Sequence, residues 1–119
     1  MKEIHKMANE TGVSLEEAIS CVGPGWISLI KEVYLEMTHY PDIRLVQVKE
    51  KFGRLRIYWD APDTPKGRGL EYLPFQNFIR ATEETSGKIC ELCGKEGKIT
   101  TNQSGWMQAR CEDHAGHGI

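Results

Sequence analysis

The sequence predicts an α+β fold: N-terminal helices packed on a small antiparallel sheet, followed by a compact cysteine-bearing unit. Three observations predict it. Apolar Trp26, Leu29, Ile30, Val33 and Met37 recur at helical spacing, with Ser28, Lys31, Glu32 and Glu36 on the opposite face. Two β-rich runs flank Gly53 and read as a hairpin over about 43–59. The third is the spacing Cys90-x2-Cys93-x17-Cys111-x2-His114, two chelating pairs separated by enough chain for a second hairpin.

A chain of 119 residues holds one domain, or one domain with a small appendage. So short a chain has little core area, and a metal staple is a natural supplement. The net charge of −2 means that the protein is no bulk polycation, so any nucleic-acid contact must come from a local patch. Met1-Lys-Glu-Ile-His-Lys has mixed charge and no secretory pattern, and no apolar run reaches the ~18 residues of a membrane span. The expectation is a cytoplasmic protein without membrane contact. Its thiols then stay reduced, which favours metal ligation over disulfides.

Along the chain, residues 2–10 suit a short helix carrying Ile4, Met7 and Ala8, ended by Thr11-Gly12. Ser14-Leu-Glu-Glu17 is a capping box and predicts a helix over about 15–21. Cys21 has no His near it in sequence and is expected to be a small buried apolar residue. Gly23-Pro24-Gly25 breaks the chain, Pro24 can open the next helix, and Trp26 is expected to anchor the core. His39-Tyr40-Pro41-Asp42 is a turn into the hairpin. In the second strand Leu55, Ile57 and Trp59 share one face, while Arg54, Arg56 and Tyr58 share the other; Val46 and Val48 are assigned to the apolar face of the first. Residues 60–69 form a loop by composition, a candidate boundary or binding flap. A helix over about 73–86, opened near Pro74, carries Phe75, Phe78, Ile79 and Thr82 on one side and an Arg80–Glu84 pair. Ser86-Gly87 ends it. The predicted division is an α+β domain over 1–87 and a metal-binding module over 88–119 packed on it.

Thiolate and imidazole together suit four-coordinate Zn2+, and Cys-x2-Cys is the spacing at which a tight knuckle aims two sulfurs at one ion. Gly94 supplies the permissive backbone that the turn wants. Ile99-Thr-Thr and Trp106-Met-Gln-Ala-Arg110, joined through Asn102-Gln-Ser-Gly105, would deliver Cys111 beside the knuckle, with His114 on a short helix. The reading is one structural Zn2+ on Cys90, Cys93, Cys111 and His114, in a treble-clef-like module or a zinc ribbon. His117 is a rival fourth ligand; the Cys111-x2-His114 spacing favours His114.

Enzymatic alternatives fare worse. Gly94-Lys-Glu-Gly97-Lys98 lacks the span of a phosphate loop. A His–Asn–His nuclease needs a second metal site with its own His pair, which His5, His39 and His117 do not supply. There is no nucleophile elbow, no acid–base carboxylate pair and no Gly-rich cofactor loop. The expectation is a protein without catalytic residues.

The remaining candidate surface is the hairpin. Between 44 and 56, Arg44, Lys49, Lys51, Arg54 and Arg56 face Glu50 alone, a local +4, whereas residues 1–38 carry a local −3. With Phe52 and Tyr58 interleaved, this stretch suits phosphate contact and base stacking. A solvated sheet face is favoured over nucleic-acid contact, since +4 on a hairpin is a modest field. Pairing with acidic helices of the same chain or of a partner is a third option.

Gly23-Pro-Gly-Trp26-Ile-Ser-Leu-Ile30, Gln47-Val-Lys-Glu-Lys-Phe-Gly-Arg-Leu-Arg-Ile-Tyr58, Ser86-Gly-Lys-Ile-Cys90-Glu-Leu-Cys93-Gly, and Gly105-Trp106 ahead of Cys111-x2-His114 occur here in order. Over about residues 22–114 the chain resembles a family of small uncharacterised proteins of tailed phages, prophages and bacterial genomes. The resemblance implies an α+β module with a C-terminal zinc site, and it implies no activity. It also implies a setting: phage accessory proteins act by binding host or defence-system proteins. The expected function is therefore a non-enzymatic binding protein, with a nucleic-acid-binding zinc module using Arg44, Lys49, Lys51, Arg54, Arg56 and Tyr58 as the alternative.

Overall fold

The computed structural model describes residues 12–61 and 70–115; the predicted helix over 2–10, positions 62–69 of the predicted loop, and His117 lie outside the described residues. The architecture is α+β, with two helices and a longer third one around a two-stranded antiparallel sheet, then a second two-stranded sheet beside a Cys/His cluster.

Helix α1 spans Leu15–Ser20. It begins there because the Ser14 hydroxyl accepts the Glu17 amide (3.1 Å) while the Glu17 carboxylate accepts the Ser14 amide (2.8 Å). Two donors that a helix start leaves open are thus satisfied reciprocally. Ala18 faces the core. Cys21 corrects the expectation of burial: it is exposed, and its thiol donates to the Glu17 carbonyl at 3.2 Å. Cys21 is the C-cap, where the chain leaves the buried face to turn into Gly23-Pro24.

A single 3-10 turn, Pro24–Trp26, runs into helix α2, Ile27–Met37. Pro24 stands first in the turn, where its missing N–H is no loss. Leu29, Ile30 and Val33 are buried on α2, and Trp26 is completely enclosed at its start.

Strands β1 (Arg44–Lys51) and β2 (Arg54–Asp60) pair antiparallel. On β2 the apolar face is the predicted one, with Leu55 and Ile57 buried and Trp59 half-buried. On β1 the prediction fails at one residue. The register slips between Leu45 and Gln47, so Val46 is an extra residue in a β-bulge. The slip resets the two-residue alternation, burying Leu45 with Val48 and leaving Val46 48% exposed.

Helix α3, Leu73–Ser86, packs on β2 through Phe75, Ile79 and Thr82. Its end also closes the open edge of that strand. The Ser86 hydroxyl accepts the Leu55 amide (2.8 Å), and the Glu83 carboxylate accepts the Ile57 amide (2.9 Å). Among the described residues no further strand lies beside these amides, and side chains supply what a third strand would have supplied. The same approach redirects Glu84, which pairs with Arg54 of β2 at 3.8 Å instead of with the predicted Arg80. Trp26, Ile30, Val33, Leu45, Leu55 and Phe75 form the centre of the core. Around Phe75, the Trp59 ring meets it edge-on at 5.1 Å and Tyr40 lies at 5.4 Å.

Strands β3 (Lys98–Thr101) and β4 (Met107–Arg110) form the second sheet. Their connection is held by the buried Asn102 side chain, whose Oδ1 accepts the amides of Ser104 (2.9 Å) and Trp106 (3.0 Å). No helix among the described residues is long and apolar enough to cross a membrane.

Candidate metal centre

The first ligand pair sits on a tight turn. The Gly94 amide donates to the Cys90 carbonyl (2.8 Å) and the Cys90 amide to the Lys95 carbonyl (2.8 Å), with Gly94 at φ 83. An Ile89–Glu96 bridge closes the base of the turn. The β3–β4 hairpin then returns the chain, and the Glu91 amide donates to the Ala109 carbonyl at 2.9 Å. Cys111 follows β4 directly, and His114 lies on a single 3-10 turn, Glu112–His114. Knuckle, hairpin and terminal turn therefore bring the second pair over the first.

The three sulfurs and the His114 ring nitrogen all lie within 4.8 Å of one another. Cys93 Sγ and Cys111 Sγ are 3.6 Å apart, and His114 Nδ1 is 3.5 Å from Cys90 Sγ and 3.2 Å from Cys111 Sγ. A disulfide holds its sulfurs at about 2.05 Å, so the 3.6 Å pair is not one. A tetrahedral ion with bonds of about 2.3 Å to sulfur and about 2.0 Å to nitrogen has edges of roughly 3.8 Å and 3.5 Å. The three separations, 3.5, 3.6 and 3.2 Å, lie near those edges, and the whole set within 4.8 Å is close enough for one ion to be held among the four. All four predicted ligand residues are in the cluster, with Nδ1 as the nitrogen that faces the sulfurs of Cys90 and Cys111.

Cys90 is completely buried. Burial pushes its thiol up, but backbone amides of Cys111, Cys93 and Leu92 donate to the sulfur and bring it down to about 6. A depressed thiol stabilises the fold above the ordinary thiol range, and that contribution is lost as pH falls through about 6. Metal binding also requires thiolate, so acid acts in the same direction. Acidification from about pH 7 to about pH 5 is therefore expected to release metal, read with a chromogenic chelator, together with a falling melting temperature.

The centre is locked to the rest of the chain by Gly23-Pro24-Gly25-Trp26. The Gly25 amide donates to the Glu91 carbonyl (2.6 Å), the Gly23 amide to the Glu91 carboxylate (2.9 Å), and the Trp26 indole N–H to the Ile89 carbonyl (2.9 Å). Glu91 also faces the buried Arg110 guanidinium at 3.9 Å. Burial pushes the Glu91 carboxyl up, with the Gly23 amide and Arg110 opposing. No family model matches the chain, and no curated protein or solved structure does. The site stands on its own geometry.

The other predicted site residues lie on the β1–β2 hairpin. Lys49, Lys51, Arg54, Arg56 and Tyr58 share the face opposite Leu55 and Ile57, in the cross-strand pairs Lys49–Arg56 and Lys51–Arg54. Lys49 Nζ stands 5.7 Å from the Tyr58 ring. Arg44 is set apart: at the far end of the hairpin it pairs with Asp60 at 3.0 Å. Sequence reasoning missed the part played by Gly23, Gly25 and Glu91. The one available signal was two glycines around a proline, more glycine than a helix start needs.

Proposed function

We propose that this is a non-enzymatic binding protein in which one structural Zn2+ holds the C-terminal unit in place and the basic hairpin face engages an acidic partner. Zinc is favoured by the ligand set, three cysteine sulfurs and an imidazole gathered within 4.8 Å of one another. With four protein ligands no position remains for water or substrate, which is the pattern of a structural ion. Metal analysis of the purified protein should give one zinc per chain.

The observation that carries the binding reading is the register of the hairpin. It sets Lys49 opposite Arg56 and Lys51 opposite Arg54. Like charges directly across a strand pair are destabilising. Among the described residues only Arg54 of these four has a carboxylate partner, Glu84 at 3.8 Å. An acidic surface laid on this face relieves the repulsion, so the surface is better matched in a complex than alone. In the phage or prophage setting that the resemblance implies, the partner is a host or defence-system protein met in the host cytoplasm. The immobilised protein should retain a lysate protein that the Lys49→Glu/Arg56→Glu variant loses; retention that survives this double charge reversal removes the assignment of the contact surface.

A second reading, nucleic-acid binding, is favoured by the exposed Tyr58 beside Lys49 and Arg56, an aromatic among cations. It predicts affinity that falls steeply with salt, and Arg54→Ala/Arg56→Ala should reduce the logarithmic salt slope by about two. Absence of binding to single- or double-stranded oligonucleotides at low salt eliminates it.

A further inference from the structure

Between the β1–β2 turn and the β3–β4 turn lies a groove of about 540 Å³, lined by Glu50, Lys51, Phe52, Gly105, Trp106 and Met107 among others. Its large apolar side chains are open to solvent: Trp106 is 70% exposed, Phe52 61% and Met107 40%. Aromatic residues and Met gathered around one concavity have the composition of an interface core.

Phe52 makes the stronger case. With Gly53 it forms a two-residue hairpin turn in which both residues have positive φ, 56 and 86. Such a turn calls for Asn or Asp followed by Gly. A bulky residue in the left-handed region costs stability, and an exposed ring recovers little of it through burial. Phe52 thus breaks a local rule, and an ammonium 5.5 Å from a largely exposed ring is a small gain to set against it, which is the pattern of a functional position.

Charge indicates what fits. Lys51 Nζ lies 5.5 Å from the Phe52 ring, and from there the Lys51–Arg54 and Lys49–Arg56 pairs continue along the hairpin. On the other side the turn 102–106 carries no charged residue. The groove itself includes Glu50, whose carboxylate accepts the Gly53 amide (2.8 Å) and repels any anion inside the groove, phosphate or carboxylate. The groove therefore takes an apolar side chain, and acidic groups are placed outside it, along the hairpin cations. We propose that the Phe52–Trp106 groove docks an acidic segment of a partner protein. One apolar side chain sits between Phe52 and Trp106, and the flanking carboxylates reach Lys51, Lys49 and Arg56. This proposal rests on the protein-binding reading above.

The test is selection of a displayed random peptide library on the immobilised, zinc-loaded protein, followed by affinity measurement with the winning peptide. Winners are expected to combine Leu, Phe or Trp with a neighbouring run of Asp and Glu. Trp106→Ala, Phe52→Asn and Lys51→Glu should each weaken binding by about tenfold or more. Phe52 and Trp106 are exposed, so zinc content and circular dichroism should not change. Phe52→Asn should also raise the melting temperature, because Asn tolerates the positive φ; a fall would remove the strain argument on which the proposal stands. Peptides that ignore Trp106→Ala and Phe52→Asn but are lost on Lys49→Glu/Arg56→Glu overturn the groove while leaving the charged face. No enrichment, or winners insensitive to every variant, overturns both. Competition by an oligothymidylate that depends on Trp106 would put nucleic acid in the groove, and a dimer abolished by Trp106→Ala would put a second copy there; either result sinks the proposal.

Discussion

Adding a chelator to the zinc-loaded protein, or replacing Cys90 by Ser, is expected to destabilise the whole protein as one unit, so that it melts in a single transition at a lower temperature. Cys90 is completely buried, and its neighbours in sequence are the hydrogen-bond acceptors that seat Gly25 and Trp26. Loosening the knuckle therefore opens the wall against which the most enclosed aromatic of the main core packs. Apparent zinc affinities of small metal-organised domains amount to about 10–16 kcal/mol, comparable with the roughly 5–15 kcal/mol that holds a domain folded. A loss of about 3 kcal/mol or more is the modest expectation, a fall in melting temperature of roughly 10 °C or more. Calorimetry with and without chelator, alongside near-ultraviolet circular dichroism for Trp26, measures it. A Cys90→Ser or Cys93→Ser protein that keeps full zinc and unchanged melting refutes the assignment. Two separate transitions would mean that the C-terminal unit is a free finger, contrary to the hydrogen bonds that join it to Gly23–Trp26.

Gly25→Ala should be nearly as damaging, for a reason unrelated to helix propensity. A Cβ at this position would stand 2.0 Å from the Cys90 carbonyl oxygen and 2.5 Å from the Gly94 amide nitrogen. Both are backbone atoms of the knuckle, so no side chain can rotate away. Either the turn Pro24–Trp26 lifts from the metal centre or the knuckle distorts. The expected cost is about 3 kcal/mol or more, with weakened zinc retention, measured by thermal melts and competition with a chelator. Gly105→Ala is the control: nothing stands within 4 Å of its would-be Cβ, and only its φ of 91 is unfavourable. That substitution should cost about 1 kcal/mol and leave zinc untouched. Equal effects at the two positions would show that the contact with the knuckle does not matter.

How much of this was legible beforehand depends on the range of the interaction. The capping box at Ser14 and Glu17 was readable because its donors and acceptors lie three residues apart. The α3 boundaries followed from Pro74 and Ser86-Gly87, and the ligand set followed from two short spacings. Val46 was misassigned because strand alternation assumes an unbroken register, and nothing local to Val46 announces the bulge. Cys21 was misassigned because burial at a helix end depends on where the chain turns next. Glu84 found Arg54 on β2 because tertiary packing brought that strand closer than the helical neighbour.

The sequence by itself determined the helices among the described residues, the two hairpins and which four Cys and His side chains gather into the candidate metal centre. In each case a few neighbouring residues set the backbone, through caps, turn residues or chelate spacing. Only the tertiary structure decided that the candidate metal centre is built against Gly23 and Trp26, through contacts between residues 68 and 63 positions apart. It alone also placed Phe52 and Trp106 on one groove, since two hairpin tips distant in sequence meet only once both sheets are packed. Short-range chemistry specifies elements; which of their surfaces face each other is set by packing, and the candidate docking groove belongs to that second kind of information.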